Sequence, residues 1–330
     1  MRSNNQPLIK SFTDNLFRDY FIMAPVYVDG RLLVAEAKTV GEVDWSGQLT
    51  ENPWKEALLP QTEKLFDLNK DKLEPVYNSG KQPPVACLGM NILDLKALTL
   101  YDLVFSNDIY YQNRLKKLMI IGFSHDWPGA YKKLKLFSHN FEQDVLEHVI
   151  FDIFIAQLKN GKIKFYSGSD KGRELLERYG VNDFDNIQFA GAIPEEGPDK
   201  RMTALQIKVE KSSNHSLWNN LDKICLACGK CTIACPTCFC FDFRDKIDPA
   251  NARRDRVQGN CFYNDFSKVA GGHRELDTVK KKIYFWYFHK FVRIPREYEM
   301  PGCVSCGRCV KTCPVGIDIF KNTALLMKQK

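Results

Sequence analysis

Eleven of the twelve cysteines lie after residue 224, and eight of those fall into two runs of identical spacing. Cys225, Cys228, Cys231 and Cys235 precede Pro236, and Cys303, Cys306, Cys309 and Cys313 precede Pro314, so that both runs read C-x2-C-x2-C-x3-C-P. Thiolates favour soft metals, and this spacing lets three of them on one tight loop grip three irons of a cubane while the fourth reaches a second cubane. The predicted ligand sets are Cys225, Cys228, Cys231 and Cys313 for one [4Fe-4S] cluster, and Cys303, Cys306, Cys309 and Cys235 for another. Gly229 and Gly307 stand where a bare backbone can curl around a cluster and turn N–H groups toward sulfur. Pro236 and Pro314 redirect the chain after the last ligand. The rival is a pair of zinc sites in a zinc-stabilised scaffold, although zinc ribbons use two separated C-x2-C pairs rather than four cysteines in one run.

Cys238, Cys240 and Cys261 remain beside the eight, with two readings open: small buried apolar residues, or a further metal site. His273 and His289 are read as structural histidines, because eight cysteines complete both sites. Lys230, Arg308 and Lys311 sit inside the loops. They either place positive charge near reduced clusters, raising their potentials or steering an acidic partner, or are ordinary solvated side chains.

The elements that position these loops follow from pattern. At 330 residues two cores are expected, and the turn-forming stretch Pro194 to Asp199 puts a boundary near residue 195. The expected fold is α+β: residues 1–195 as a mixed α/β domain, and 196–330 as an α-helical ferredoxin-like domain. Asp29-Gly30 between two apolar runs predicts a hairpin, and Asn160-Gly161 a second, with arms His148 to Gln157 and Ile163 to Ser167. Pro84 to Leu88 and Leu118 to Phe123 read as buried strands with helices Ile92 to Leu100 and Asp108 to Lys116 between them, a β-α-β centre. Ser169-Asp170 opens a helix that Gly180 closes, and another runs from Lys200 to about Ser212. Sixty-seven residues separate Cys235 from Cys303, and this insert favours helix, above all the basic and aromatic run Thr278 to Arg293, which Pro295 ends. Such a run, apolar nearly all round, is expected to pack as core around the clusters rather than to lie as a helix on a membrane surface.

Several classes are excluded. A net charge of +7 with acidic and basic residues interleaved demands no nucleic-acid surface. No stretch approaches 18 apolar residues, so no membrane span is expected. The N-terminus shows neither a secretory core nor a twin-arginine pair, so the chain is expected in the cytoplasm, where reduced cysteines need metal or redox chemistry. No G-x-G-x-x-G follows a predicted strand and no Walker loop occurs, so flavin and nicotinamide chemistry belongs to a partner.

Asp222 to Gly229, continuing through Cys235-Pro236-Thr237-Cys238-Phe239-Cys240, resembles the beta, iron-sulfur, subunit of cytoplasmic sulfhydrogenases, as does Val269-Ala270-Gly271-Gly272-His273. Upstream, Asp94-Leu95-Lys96 and Asp108-Ile109-Tyr110-Tyr111 extend the likeness over most of the chain. These are soluble [NiFe] hydrogenases whose beta subunit is in turn similar to one of the subunits of anaerobic sulfite reductase. The resemblance implies a non-catalytic electron-transfer subunit that relays electrons between the small and large hydrogenase subunits and a flavin-containing NAD(P)H diaphorase subunit. Transfer to a sirohaem partner in a sulfite reductase is the alternative. Fuller members carry additional cysteines for a third cluster where this chain has Met90 and His125. Cys87 alone holds none, so two [4Fe-4S] clusters are expected.

Overall fold

A computed structural model describes residues 6–69, 72–75, 84–127, 145–193, 200–247 and 252–328. Its strands are β1 (Phe21–Val28), β2 (Arg31–Ala37), β3 (Thr62–Asn69), β4 (Lys72–Pro75), β5 (Val85–Met90), β6 (Leu118–Trp127), β7 (Ile153–Leu158), β8 (Ile163–Ser167), β9 (Phe184–Asn186), β10 (Phe241–Lys246) and β11 (Arg253–Gln258). Two compact units emerge. The first comprises Met1–Trp54, Gly80–Gly197 and Val304–Cys306, the second Lys55–Ser79, Pro198–Cys303 and Gly307–Lys330. A single cut at residue 195 therefore divides the chain differently from its contacts, because Lys55–Ser79 supplies two strands to the second unit. The turn-forming segment 194–199 itself lies outside the described residues.

The first unit is a mixed seven-stranded sheet in the order β2-β1-β5-β6-β7-β8-β9. β1 and β2 are antiparallel around Asp29 and Gly30, whose φ of 49° and 73° are the paired positive values a two-residue hairpin needs. β5 and β6 pair in parallel, with helices Ile92–Val104 and Ile109–Lys117 between them, each opened by a side chain: Leu93 N donates to Asn91 Oδ1 (3.0 Å), and Tyr111 N to Asp108 Oδ1 (2.8 Å). β7 and β8 form the second hairpin, with Gly161 at φ 79°. Its first arm starts at Ile153, not His148: residues Val145–His148 make a 3-10 turn, and the His148 ring bonds the Gly191 carbonyl at 2.7 Å. The Ser169 hydroxyl caps helix Asp170–Arg178 by accepting from Gly172 N, and Gly180 follows at φ 76°. One apolar core unites Phe12 and Leu16 of helix Gln6–Asp19 with Ala86, Ile121, Ile153 and Phe165.

The second unit holds the antiparallel sheet β10-β11-β3-β4 and most of the cysteines. Its β10 and β11 lie in the insert that the sequence marks as helical, so the first half of that insert is sheet. β10 is an exposed edge whose charged residues protect it from further pairing. β11 buries Asp255, Arg256 and Val257, and Arg256 forms a buried ion pair with Glu63 of β3. The second half is helical. Thr278 caps Val279–Phe288 by accepting from Lys281 N, a π-helical turn spans His289–Arg293, and Ile294–Tyr298 continues the helix. Pro295 does not end the run, because it falls in the first turn of the segment after the π-turn, where a missing N–H costs little. Among the described residues no helix is long and apolar enough to cross a membrane.

Candidate metal centre

The two cysteine runs share a backbone as well as a spacing. The residue before the second cysteine is left-handed in each, Ala227 at φ 49° and Ser305 at φ 57°, and so is the glycine after it, Gly229 at 72° and Gly307 at 74°. Each glycine is the N-cap of one helical turn, Lys230–Ile233 or Arg308–Lys311. Two left-handed residues flanking a cysteine wrap the chain tightly. In the first run this brings Ala227 N to 3.4 Å from Cys225 Sγ, and beyond the second Ile317 N donates to Cys313 Sγ at 3.2 Å.

Cys225, Cys228, Cys231 and Cys313, the whole first predicted set, line one pocket of about 530 Å³ that is open to solvent. Cys309, assigned by spacing to the second set, lines the same pocket. Its wall is apolar: Phe262, Ile283, Trp286 and Tyr287 from the insert, and Ile317. Trp286 Nε1 is buried with no hydrogen-bond partner among the described residues, so this wall carries one donor toward which the protein supplies no acceptor. Burial pushes the Cys231 thiol up to about 12, with Cys225, Cys235 and Cys228 nearby adding to it, and burial also raises Cys225 against the Ala227 N–H. Thiols so placed ionise when a cation supplies the missing charge, which is how a metal site fits this pocket. Cys228 is exposed, with Leu226 beside it 64% exposed.

Of the second predicted set, Cys303 and Cys235 are buried in the second unit, whereas Cys306 falls with the first. Cys235 has a built surrounding. Lys290 Nζ donates to its Sγ at 3.0 Å, Thr237 Oγ1 lies 3.1 Å from it, and the Cys238 thiol is also hydrogen-bonded to it. Burial works against ionisation of Cys235, but the Cys238 hydrogen bond and the Lys290 charge outweigh it and hold this thiol well below its usual range. Lys290 is 2% exposed, and its other donors reach Thr237 Oγ1 and Gly302 O, both at 3.0 Å. Burial pushes its ammonium down, and the sulfurs of Cys235, Cys238 and Cys303 more than restore it. A second buried lysine, Lys55, donates to Thr232 O at 3.0 Å and Cys238 O at 3.5 Å.

The remaining candidates are placed as follows. Among the described residues no three His, Cys, Asp or Glu side chains converge to hold a single metal ion, and Cys238, Cys240 and Cys261 form no such group. Burial raises the thiols of Cys240 and Cys261. His273 is an exposed partner of Glu275 (3.1 Å), and His289 packs on the Phe239 and Phe285 rings. Lys230 and Lys311 are exposed, whereas Arg308 is buried. In the first unit Cys87 is fully buried within β5, which pushes its thiol up to about 12; Met90 is buried at that strand's end, and His125 is exposed on β6. Sequence reasoning missed Lys290, Lys55 and Asn260. A lysine inside the apolar run Tyr284 to Val292 was a signal for the first, since a buried ammonium needs a partner. Nothing local marks the others.

Residues 224–317 match the family of 4Fe-4S dicluster domains. The chain is 27% identical over 320 residues to Sulfhydrogenase 2 subunit beta of Pyrococcus furiosus, covering 91% of this chain and 90% of that protein. No solved structure matches it. The likeness read from the sequence thus extends over nearly the full length of that subunit, and residues 224–317 are similar to a 4Fe-4S dicluster domain.

Proposed function

We propose that this chain is the cytoplasmic electron relay of a multi-subunit hydrogenase, linking a [NiFe] hydrogenase heterodimer to a flavin-containing NAD(P)H diaphorase subunit. In this reading it holds two [4Fe-4S] clusters, on Cys225, Cys228, Cys231 and Cys313, and on Cys303, Cys306, Cys309 and Cys235, in an α-helical ferredoxin-like domain within residues 196–330. Bound clusters supply one-electron carriers whose potentials follow hydrogen bonding, charge and burial. The observation that carries the reading is the pocket shared by Cys225, Cys228, Cys231 and Cys313, since thiols distant in sequence line one space with an apolar wall.

The chain's own groups do the tuning. Phe262, Ile283, Trp286 and Tyr287 keep water from the inner side of the pocket, and the Ala227 and Ile317 N–H groups donate to ligand sulfurs. The exposed Cys228 edge is where a partner approaches.

Anoxic purification of the native complex tests this. Expected are about eight irons and eight sulfides per chain, low-temperature EPR signals of reduced cubanes, and a nickel protein and a flavoprotein as bound partners. A sirohaem partner would move the chain to sulfite reduction, and a colourless, zinc-loaded protein would end the relay reading.

A further inference from the structure

Lys290 is not part of either cysteine run, yet its ammonium lies against a proposed ligand. Its three donors are all used, on Cys235 Sγ, Thr237 Oγ1 and Gly302 O, each at 3.0 Å. Its position is over-determined. Lys290 O accepts from Gly302 N at 3.0 Å, Thr237 Oγ1 donates to Gly302 O at 2.7 Å, and the ammonium lies 5.7 Å from the Trp286 ring centroid. Gly302 admits no side chain here, because a Cβ would press on the Lys290 backbone. The helix, the loop after Cys235 and the strap before Cys303 thus converge on one buried cation.

A buried cation is costly unless it is paired with negative charge, and among the described residues no Asp or Glu is bonded to this one. Its one charge partner in contact is sulfur. Reduction of a cluster by one electron adds one negative charge, so a fixed cation hydrogen-bonded to a ligand sulfur favours the reduced form. We infer that Lys290 is a potential-setting residue, whose buried ammonium donates to the Cys235 thiolate and raises the reduction potential of the cluster that Cys235 helps to hold. The inference rests on the reading of Cys235 as a ligand. Thr237 orients the ammonium, and the Cys238 thiol is a further donor on the same sulfur.

The test uses the anoxically purified, cluster-loaded complex, with iron and sulfide content measured first and cluster potentials read by EPR-monitored redox titration. Lys290→Gln keeps a donor without the charge, and Lys290→Arg keeps the charge. In Lys290→Gln one cluster is expected to become at least about tenfold harder to reduce, a fall of about 59 mV for a one-electron couple, while the other cluster holds its potential. Lys290→Arg restores most of the shift. Full cluster content with both potentials unchanged in Lys290→Gln overturns the inference, and so does an Arg variant shifted as far as the Gln one. If Lys290→Gln loses its clusters, Thr237→Val decides: releasing the ammonium from its anchor should lower the same potential in a fully loaded protein, and no shift there rejects the role. Cys235→Ser separates the two readings. An unaltered pair of EPR signals in that variant refutes the ligand assignment, whereas an altered signal together with unshifted Lys290→Gln potentials refutes only the charge effect.

Discussion

Gly229→Ala and Gly307→Ala form a matched pair, because the two glycines share spacing and conformation but not surroundings. Their φ values are 72° and 74°, where an added Cβ costs about 1–2 kcal/mol. Around Gly307 there is room, the nearest atom to a Cβ being Phe320 Cε2 at 3.9 Å. At Gly229 a Cβ overlaps the side-chain amide of Asn260. That amide is buried and cannot swing away freely: its Nδ2 donates to Gly229 O at 3.1 Å, and its Oδ1 accepts from Phe262 N at 3.0 Å. Displacing it breaks both bonds and leaves buried groups unpaired, adding about 1–3 kcal/mol for the displaced amide. Gly307→Ala should therefore cost about 1.5 kcal/mol and Gly229→Ala about 4 kcal/mol, or near 5 °C and 12 °C in melting temperature at roughly 3 °C per kcal/mol. The assay is circular dichroism melting of the anoxic, cluster-loaded protein at one scan rate. Measured in an Asn260→Ala background, the further loss caused by Gly229→Ala should fall toward that of Gly307→Ala, since the sites share a contact. Equal losses for the two glycines, or strictly additive effects of Asn260→Ala and Gly229→Ala, would refute the steric account.

Other outcomes follow from the same geometry. Arg256→Met removes the cation bonded to the buried Glu63 carboxylate and should cost about 3–5 kcal/mol, while the double change with Glu63→Met recovers most of it; denaturant melts in which the single variant matches the double would contradict this. Cys235→Ser should disturb about four of the irons, and Cys238→Ser none, by metal analysis. His289 is held down to about 4, chiefly by burial and then by the Lys290 and Arg293 charges. Its unfolded value is about 6.5, so as pH falls from 6.5 toward 4 the unfolded chain takes up the proton first and the fold loses about 3 kcal/mol, with no further loss below 4. Urea titrations from pH 7 to 4 should thus show a shallower pH slope for His289→Gln than for the parent protein, and parallel slopes would count against it.

Local chemistry carried a large part of the fold in the sequence. Asp29-Gly30, Ser169 with Gly180, and the β5-helix-β6 alternation are signals a few residues wide, and each forms where its pattern lies. The failures have a common physical origin in partners far along the chain. β10 and β11 carry too much charge for a strand pattern and lie in the insert read as helical, and they become strands beside β3, where Glu63, 193 residues before Arg256, completes a buried ion pair. Lys55–Ser79 joins the second unit through that same pairing, which no boundary signal announces. Pro295 normally marks a helix end, but a π-turn just before it lets the helix continue.

The cysteine runs were the most legible feature and also the most misleading in one respect, because identical spacing suggests identical sites. Their backbones do repeat, down to the left-handed residue before the second cysteine. Their surroundings do not. Gly229 is walled by Asn260 while Gly307 faces open space, and Cys235 closes the first run against a buried lysine while Cys313, at the same place in the second, accepts a backbone N–H from Ile317. A charged donor stabilises a thiolate more than a neutral one does. Clusters held by the two runs would then differ in potential. The repeat makes the two runs alike in backbone, and the insert, through Lys290 and Asn260, makes them unequal in surroundings.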